Sequence, residues 1–177
     1  MSSLSIPSSL KFIAPFLAKG SEMQAHDAVI AYFCNVYAAQ LAVEKGVADT
    51  ESRTFLMALL ERLEQEKAAL AGHEALEDKA VSKAYVEQFA LNIFKRADDE
   101  DRAAKATINT ARSFQAAAVF METCSTFDDL DDDIAQKIKY AKWRALEILK
   151  AIKHGQPVKP VSSETTPASM NDDDDGV

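Results

Sequence analysis

Few residues in this sequence of 177 could do bond-making chemistry, and they are scattered. The three histidines, His26, His73 and His154, sit far apart at helix edges, and none has a Glu three residues before it, as di-iron four-helix proteins require. The acidic cluster Asp128, Asp129, Asp131, Asp132 and Asp133 invites a calcium reading, but it lacks the central Gly and distal bidentate Glu of a calcium loop. It reads instead as an N-cap and dipole-matching run for the helix that follows. Cys34 and Cys124 lie inside apolar helical patterns, where a cysteine is a small buried residue rather than a reactive thiol. There is no GxxxxGK[ST], no GxSxG and no HExxH, so phosphate cradling and nucleophilic catalysis lack their parts. The sequence predicts no enzyme, no metal and no cofactor.

What remains is recognition chemistry, concentrated in "KIKYAKWRALEILKAIKHG", Lys137 to Gly155, which carries six basic residues and the only tryptophan. At 100° per residue Ile134, Ile138, Ala141, Ala145, Ile148, Leu149 and Ile152 fall within roughly a 100° arc, one core-facing stripe. Trp143 lies about 170–180° from that stripe's centre, with Lys139, Leu146, Glu147 and Lys150 around it. Two readings follow. Trp143 packs against another layer of helices, or it is an aromatic anchor in a basic-rimmed site whose lysines favour an acidic partner.

Composition narrows the classes. Apolar residues make up 47% and charged residues 27%, which is globular rather than disordered, and the interior is dominated by helix-favouring Ala, Leu, Glu, Lys and Asp. The fold class is all-α. A formal net charge of −8 argues against nucleic acid as a partner, since only residues 137–154 are locally basic. No signal peptide precedes the helices, so a cytoplasmic protein is expected, and no run approaches the ~20 apolar residues that span a bilayer.

The elements that must position these residues read as three helices followed by three. "SSLKFIAPFLAKGSE" is a short amphipathic segment interrupted by Pro15. "HDAVIAYFCNVYAAQLAVEKG" has an apolar arc wide enough for neighbours on two sides and stops at Gly46, and "ADTESRTFLMALLERLEQEKAALAG" starts on a capping arrangement and stops at Gly72. A fourth helix is expected from about Ala75 to Ala97, with Asp98 and Asp99 punctuating it and capping the next, "AAKATINTARSFQAAAVFMETC". "STFDDLDDD" then interrupts before the basic helix. The expected domains are 8–72, 74–155 and a disordered acidic tail over 156–177, rich in Pro, Ser, Thr and Asp, so that the chain reads as a fragment or short form of a longer protein.

Four blocks, "DAVIAYFCNVYAAQLAVEKG", "VEQFALNIFKRADDEDRAA", "TARSFQAAAVFMETCSTFDDL" and "KIKYAKWRALEILKAIKHGQ", closely resemble, in that order, the N-terminal region of the Vta/LIP family of multivesicular-body sorting proteins, over roughly residues 8–157. The resemblance implies two consecutive microtubule-interacting-and-transport (MIT) domains, each a three-helix bundle, packed as one unit. It implies an adaptor recruited to the endosomal surface that binds C-terminal helices of ESCRT-III subunits of the Did/CHMP-one and Vps-sixty/CHMP-five types. Regulation of the Vps-four AAA ATPase is implied only through a C-terminal domain absent here. Carried onto "YAKWRA", it makes Trp143 a central contact, Lys139, Lys142 and Lys150 basic rim residues, Leu146 their apolar neighbour and Tyr140 a support. Met57, Leu60, Glu61 and Glu64 are assigned to a groove of the first bundle. Where bulkier residues are expected in the fifth helix this chain reads "QAAAVF", which bears on partner selectivity.

The competing reading is a peripheral membrane module in which the basic helix 137–154 lies on anionic lipid. Its apolar stripe is needed for the bundle core, so insertion would compete with folding.

Overall fold

Every regular element among the described residues, 5–161 of the computed structural model, is helical. A 3-10 turn, Ser8–Ile13, leads into α1 (Ala14–Met23), with Pro15 in its first turn, where the missing N–H costs no hydrogen bond. Then come α2 (Ala28–Lys45), α3 (Thr50–Ala69), α4 (Lys79–Arg102), α5 (Ile108–Thr123) and α6 (Asp132–Lys153), with short 3-10 turns at Glu74–Leu76 and Cys124–Thr126. The expectation of an acidic tail from residue 162 onward lies outside the described residues. The segment 156–161 carries no regular secondary structure.

The helix starts are set by side chains that satisfy orphan backbone donors. Asp27 accepts from the amides of Val29 and Ile30, both at 3.1 Å, and Asp49 from Ser52 at 2.8 Å. The backbone N–H of Ser52, and the hydroxyls of Ser52 and Ser9, hold the Asp49 carboxyl below the usual carboxylate range. Asp131 caps α6 by accepting from Ile134 at 2.8 Å, with Asp132 and Asp133 in the first turn beside the positive helix end.

The chain divides into two compact units, Met1–Val86 with Thr123–Asp128, and Glu87–Glu122 with Asp129–Val177. In the first, Leu10, Ile13, Ile30, Phe33, Phe55 and Leu59 are buried, and Phe16 meets Tyr37 edge-on at 4.7 Å. Alanines at 31, 38, 39 and 42 line the buried side of α2 and allow close approach. Closest of all is Gly20 of α1, where a Cβ would stand 2.4 Å from Asn35 Oδ1. Asn35 is fully buried and its amide donates to both oxygens of Glu66, at 3.2 and 3.1 Å, which aims Oδ1 at the glycine.

In the second unit Phe94, Phe114 and Tyr140 form a triangle of rings with centroids 5.9 to 6.0 Å apart. Phe89 and Phe120 make a further edge contact at 5.1 Å. The stripe expected on α6 is the buried one: Ile134, Ile138, Ala141, Ala145 and Ile148 are enclosed, and Leu149 and Ile152 lie half-buried at its margin.

Residues 98–101 differ from expectation. Asp98 and Asp99 do not end α4 or cap the next helix; α4 continues through them to Arg102. Each acid has a partner that favours the helical turn: Asp99 pairs with Lys95 at 2.6 Å, and Asp98 with Arg102 at 2.7 Å. The reversal falls at Ala104, whose φ of 58° lies in the left-handed region. Thr107 caps α5: its hydroxyl accepts from the Thr110 amide at 3.4 Å and its amide donates to the Thr110 hydroxyl at 3.0 Å. α4 also begins later than expected, at Lys79, after Asp78 accepts from the Val81 amide at 2.9 Å.

Candidate partner-binding faces

The outer side of α6 is an apolar strip with a basic rim. At 100° per residue Lys139, Lys142, Trp143, Leu146 and Lys150 share an arc of roughly 100°, running from the edge of the buried stripe round to its far side. Leu146, at the centre of this face, is 64% exposed. Lys139, Lys142 and Lys150 are exposed around it. Lys142 pairs with Glu122 of α5, and Lys150 lies 3.5 Å from Glu147, so Lys139 is the lysine of this face with no ion pair among the described residues.

Trp143 is half-buried. Its indole lies 5.9 Å from the Tyr140 ring, and the Arg144 guanidinium is 5.9 Å from its centroid. The ring is therefore neither a core residue nor a free one. Tyr140 is enclosed, as its expected role of support requires, and donates its hydroxyl to Asp98 at 3.0 Å. Burial, reinforced by the Asp98 carboxylate, pushes its phenol well above the ordinary tyrosine range.

Arg144, read from the sequence only as one of six basic residues in this segment, is buried. Its side chain is 8% exposed and that of Asp101 is 0% exposed. Nε and Nη2 each donate to one Asp101 oxygen, the Nη2 bond at 2.7 Å, giving a bidentate pair. The only local signal was position: Arg144 stands about 90° from the centre of the apolar stripe, at the edge of the buried arc.

In the first unit the residues assigned to a groove also share a face. Met57, Leu60, Glu61 and Glu64 follow the i, i+3, i+4, i+7 spacing of one helix side, with Met57 71% and Leu60 43% exposed and both glutamates at the surface. Phe55, Leu56, Leu59 and Leu63 are buried on the other side of α3. This face is acid-rimmed where that of α6 is basic.

Burial pushes the Cys34 thiol up to about 12, which keeps it protonated and unreactive at neutral pH. Among the described residues no three His, Cys, Asp or Glu side chains converge to hold a metal ion, and no helix is long and apolar enough to cross a membrane.

Residues 12–154 match the family model described as "Vta1 like". A protein of Arabidopsis thaliana named as a homolog of mammalian LYST-interacting protein 5 is 37% identical over 86% of this chain and 36% of its own length. The human vacuolar protein sorting-associated protein VTA1 homolog is 32% identical over 96% of this chain and 54% of its own. The Dictyostelium discoideum homolog of the same name is 33% identical over 97% of this chain and 30% of its own. The chain thus spans about a third to a half of the curated relatives it matches.

Proposed function

The chain belongs to the Vta1-like family, whose curated members are named for vacuolar protein sorting, and from that premise we propose that it is a non-enzymatic endosomal sorting adaptor. Its two three-helix modules, 8–72 and 74–155, bind C-terminal helices of ESCRT-III subunits of the Did/CHMP-one and Vps-sixty/CHMP-five types at the cytoplasmic surface of endosomes. In the full-length protein that recognition is coupled to the Vps-four ATPase through a C-terminal domain beyond these residues. The observation that carries the reading is the exposed Leu146 within a basic rim on a helix whose opposite side is fully engaged in the core. An amphipathic partner helix would lay its apolar stripe over Leu146 and the free edge of Trp143 and set its acids against Lys139, Lys142 and Lys150. The face of α3, with Glu61 and Glu64 beside Met57 and Leu60, suits a helix of opposite charge.

The test is calorimetric titration of the chain with synthetic C-terminal helices from each ESCRT-III subunit, beside Trp143→Asp and Leu146→Asp. Full burial of a leucine is worth about 1.5–3 kcal/mol, so covering the exposed two thirds of Leu146 contributes roughly 1–2 kcal/mol, or about 5- to 30-fold in affinity. Leu146→Asp is expected to weaken binding by at least that factor with the thermal midpoint unchanged. A folded wild-type chain that binds none of the peptides, or that floats with anionic liposomes in their absence, would overturn the proposal.

A further inference from the structure

Beyond α6 the chain turns back along the helix. Gly155, at φ +64°, donates to the Ile152 carbonyl at 3.1 Å, and Gln156 donates to Ala151 at 2.9 Å, closing the helix end with a left-handed residue. Arg144 Nη2 then donates to the carbonyl of Lys159 at 2.5 Å. At 1.5 Å per residue Arg144 lies roughly 15 Å back along α6 from His154. The chain from Gly155 to Lys159 reaches at most about 14 Å when fully extended. The Arg144 side chain covers part of that distance, so the hydrogen bond requires the segment to turn back toward the middle of α6 rather than continue past its end.

Its residues suit that path. Pro157 and Pro160 fix φ, disfavour helix in the residues before them, and bring no backbone N–H to be satisfied. Val158 and Val161 are half-buried while Lys159 between them exposes its side chain. The spacing of three matches the turn of an extended proline-type helix, which sets both valines on one side. Arg144 thus meets three groups: it donates to Asp101 at the end of α4 and to the returning segment, and its guanidinium lies over the ring of the adjacent Trp143, 5.9 Å from the centroid.

We propose that Gln156–Val161 is a strap belonging to the second unit, and that Arg144 is a positioning residue through which the strap holds Trp143 in its half-buried setting. This rests on contacts within that unit and stands whether or not α6 binds ESCRT-III helices. A guanidinium clamped between a buried carboxylate and a backbone carbonyl has its plane fixed, and the indole that it overlies keeps a fixed cationic neighbour. Releasing the strap frees one side of Arg144 and lets water reach the pair and the ring.

The experiment uses the whole chain with Pro157, Val158, Lys159, Pro160 and Val161 replaced by a Gly-Ser-Gly-Ser-Gly run, and separately Arg144→Lys, which keeps the charge but loses the planar fork. Acrylamide quenching of the single tryptophan is read beside far-ultraviolet circular dichroism. The strap variant is expected to keep wild-type helicity while its Stern–Volmer constant rises roughly twofold, as for a ring losing one packed side. Arg144→Lys is expected to move quenching in the same direction, and adding the strap replacement to Arg144→Lys to add little. Unchanged quenching in the strap variant, or fully additive effects of the two changes, would overturn the proposal.

Discussion

The pair Asp101–Arg144 predicts a large and non-additive effect on stability. The Asp101 side chain has no exposure and that of Arg144 only 8%, so removing either partner leaves a charge or its protonated substitute in a site built for two. Breaking such a pair costs about 3–5 kcal/mol, whereas replacing both partners by apolar residues of similar volume is often neutral or stabilising. Asp101→Leu should be at least as damaging as Arg144→Met. The stranded guanidinium cannot shed its proton, whereas a stranded carboxyl can take one up. Against a total stability of about 5–15 kcal/mol, either single variant removes a fifth or more of what holds the unit folded. For a unit of this size a loss of 3 kcal/mol lowers the midpoint by about 12–24 °C. The double variant Asp101→Leu/Arg144→Met should recover most of that, forfeiting mainly the Lys159 carbonyl bond, worth about 1 kcal/mol. Urea unfolding followed by Trp143 fluorescence is the assay, because the single indole lies in the same unit and touches the pair. Single variants costing under about 1 kcal/mol, or a double variant equal to the sum of the singles, would refute the reasoning.

Gly20→Ala places a Cβ 2.4 Å from Asn35 Oδ1, and Asn35 is held in place by Glu66, so the substitution should cost about 1–3 kcal/mol; an unchanged melting temperature would show that α1 shifts freely. Tyr140 resists ionisation while folded but titrates near pH 10 when unfolded, so the stability it contributes is complete below about pH 10 and is lost as pH rises above it. Between about pH 9 and about pH 11 the wild type should therefore lose more stability than Tyr140→Phe, which is checked by urea unfolding across that range. Binding of an acidic helix to the α6 face should weaken severalfold as salt rises from about 0.05 to about 0.5 M, since the lysine rim is exposed and screened; an affinity independent of salt would remove the rim from the site.

Periodicity made most of the helices visible before any coordinates. The stripe Ile134, Ile138, Ala141, Ala145 and Ile148 is buried, the angular position of Trp143 away from it is the observed one, and Gly46 and Gly72 stand just past α2 and α3. These signals are local, written within one or two helical turns. What escaped depended on partners far along the chain. The run at 98–101 looked like punctuation because four consecutive acids favour a helix end, yet Asp98 is approached by Tyr140 and Asp101 by Arg144, 42 and 43 residues onward. The burial of Arg144 likewise depends on Asp101, far back along the chain. Of the residues assigned to partner faces, the place of Leu146 away from the buried stripe followed from spacing, Met57 came with the family resemblance, and the neighbours of the Trp143 ring, Tyr140 and Arg144, belong to its own helix.

Both native cysteines, set in helical packing and described above only as inert, have a practical corollary. Cys34 has no solvent exposure and a thiol that stays protonated near neutral pH, and Cys124 is 3% exposed. Thiol-directed probes react through the thiolate at accessible sulfur. The natural sequence is therefore already a silent background: a single cysteine placed at Met57 or at Leu146 would take a spin label or fluorophore selectively, with no need to remove the native pair. Each candidate face can then report its own occupancy in the otherwise unaltered chain, and the order in which two ligands arrive becomes directly observable.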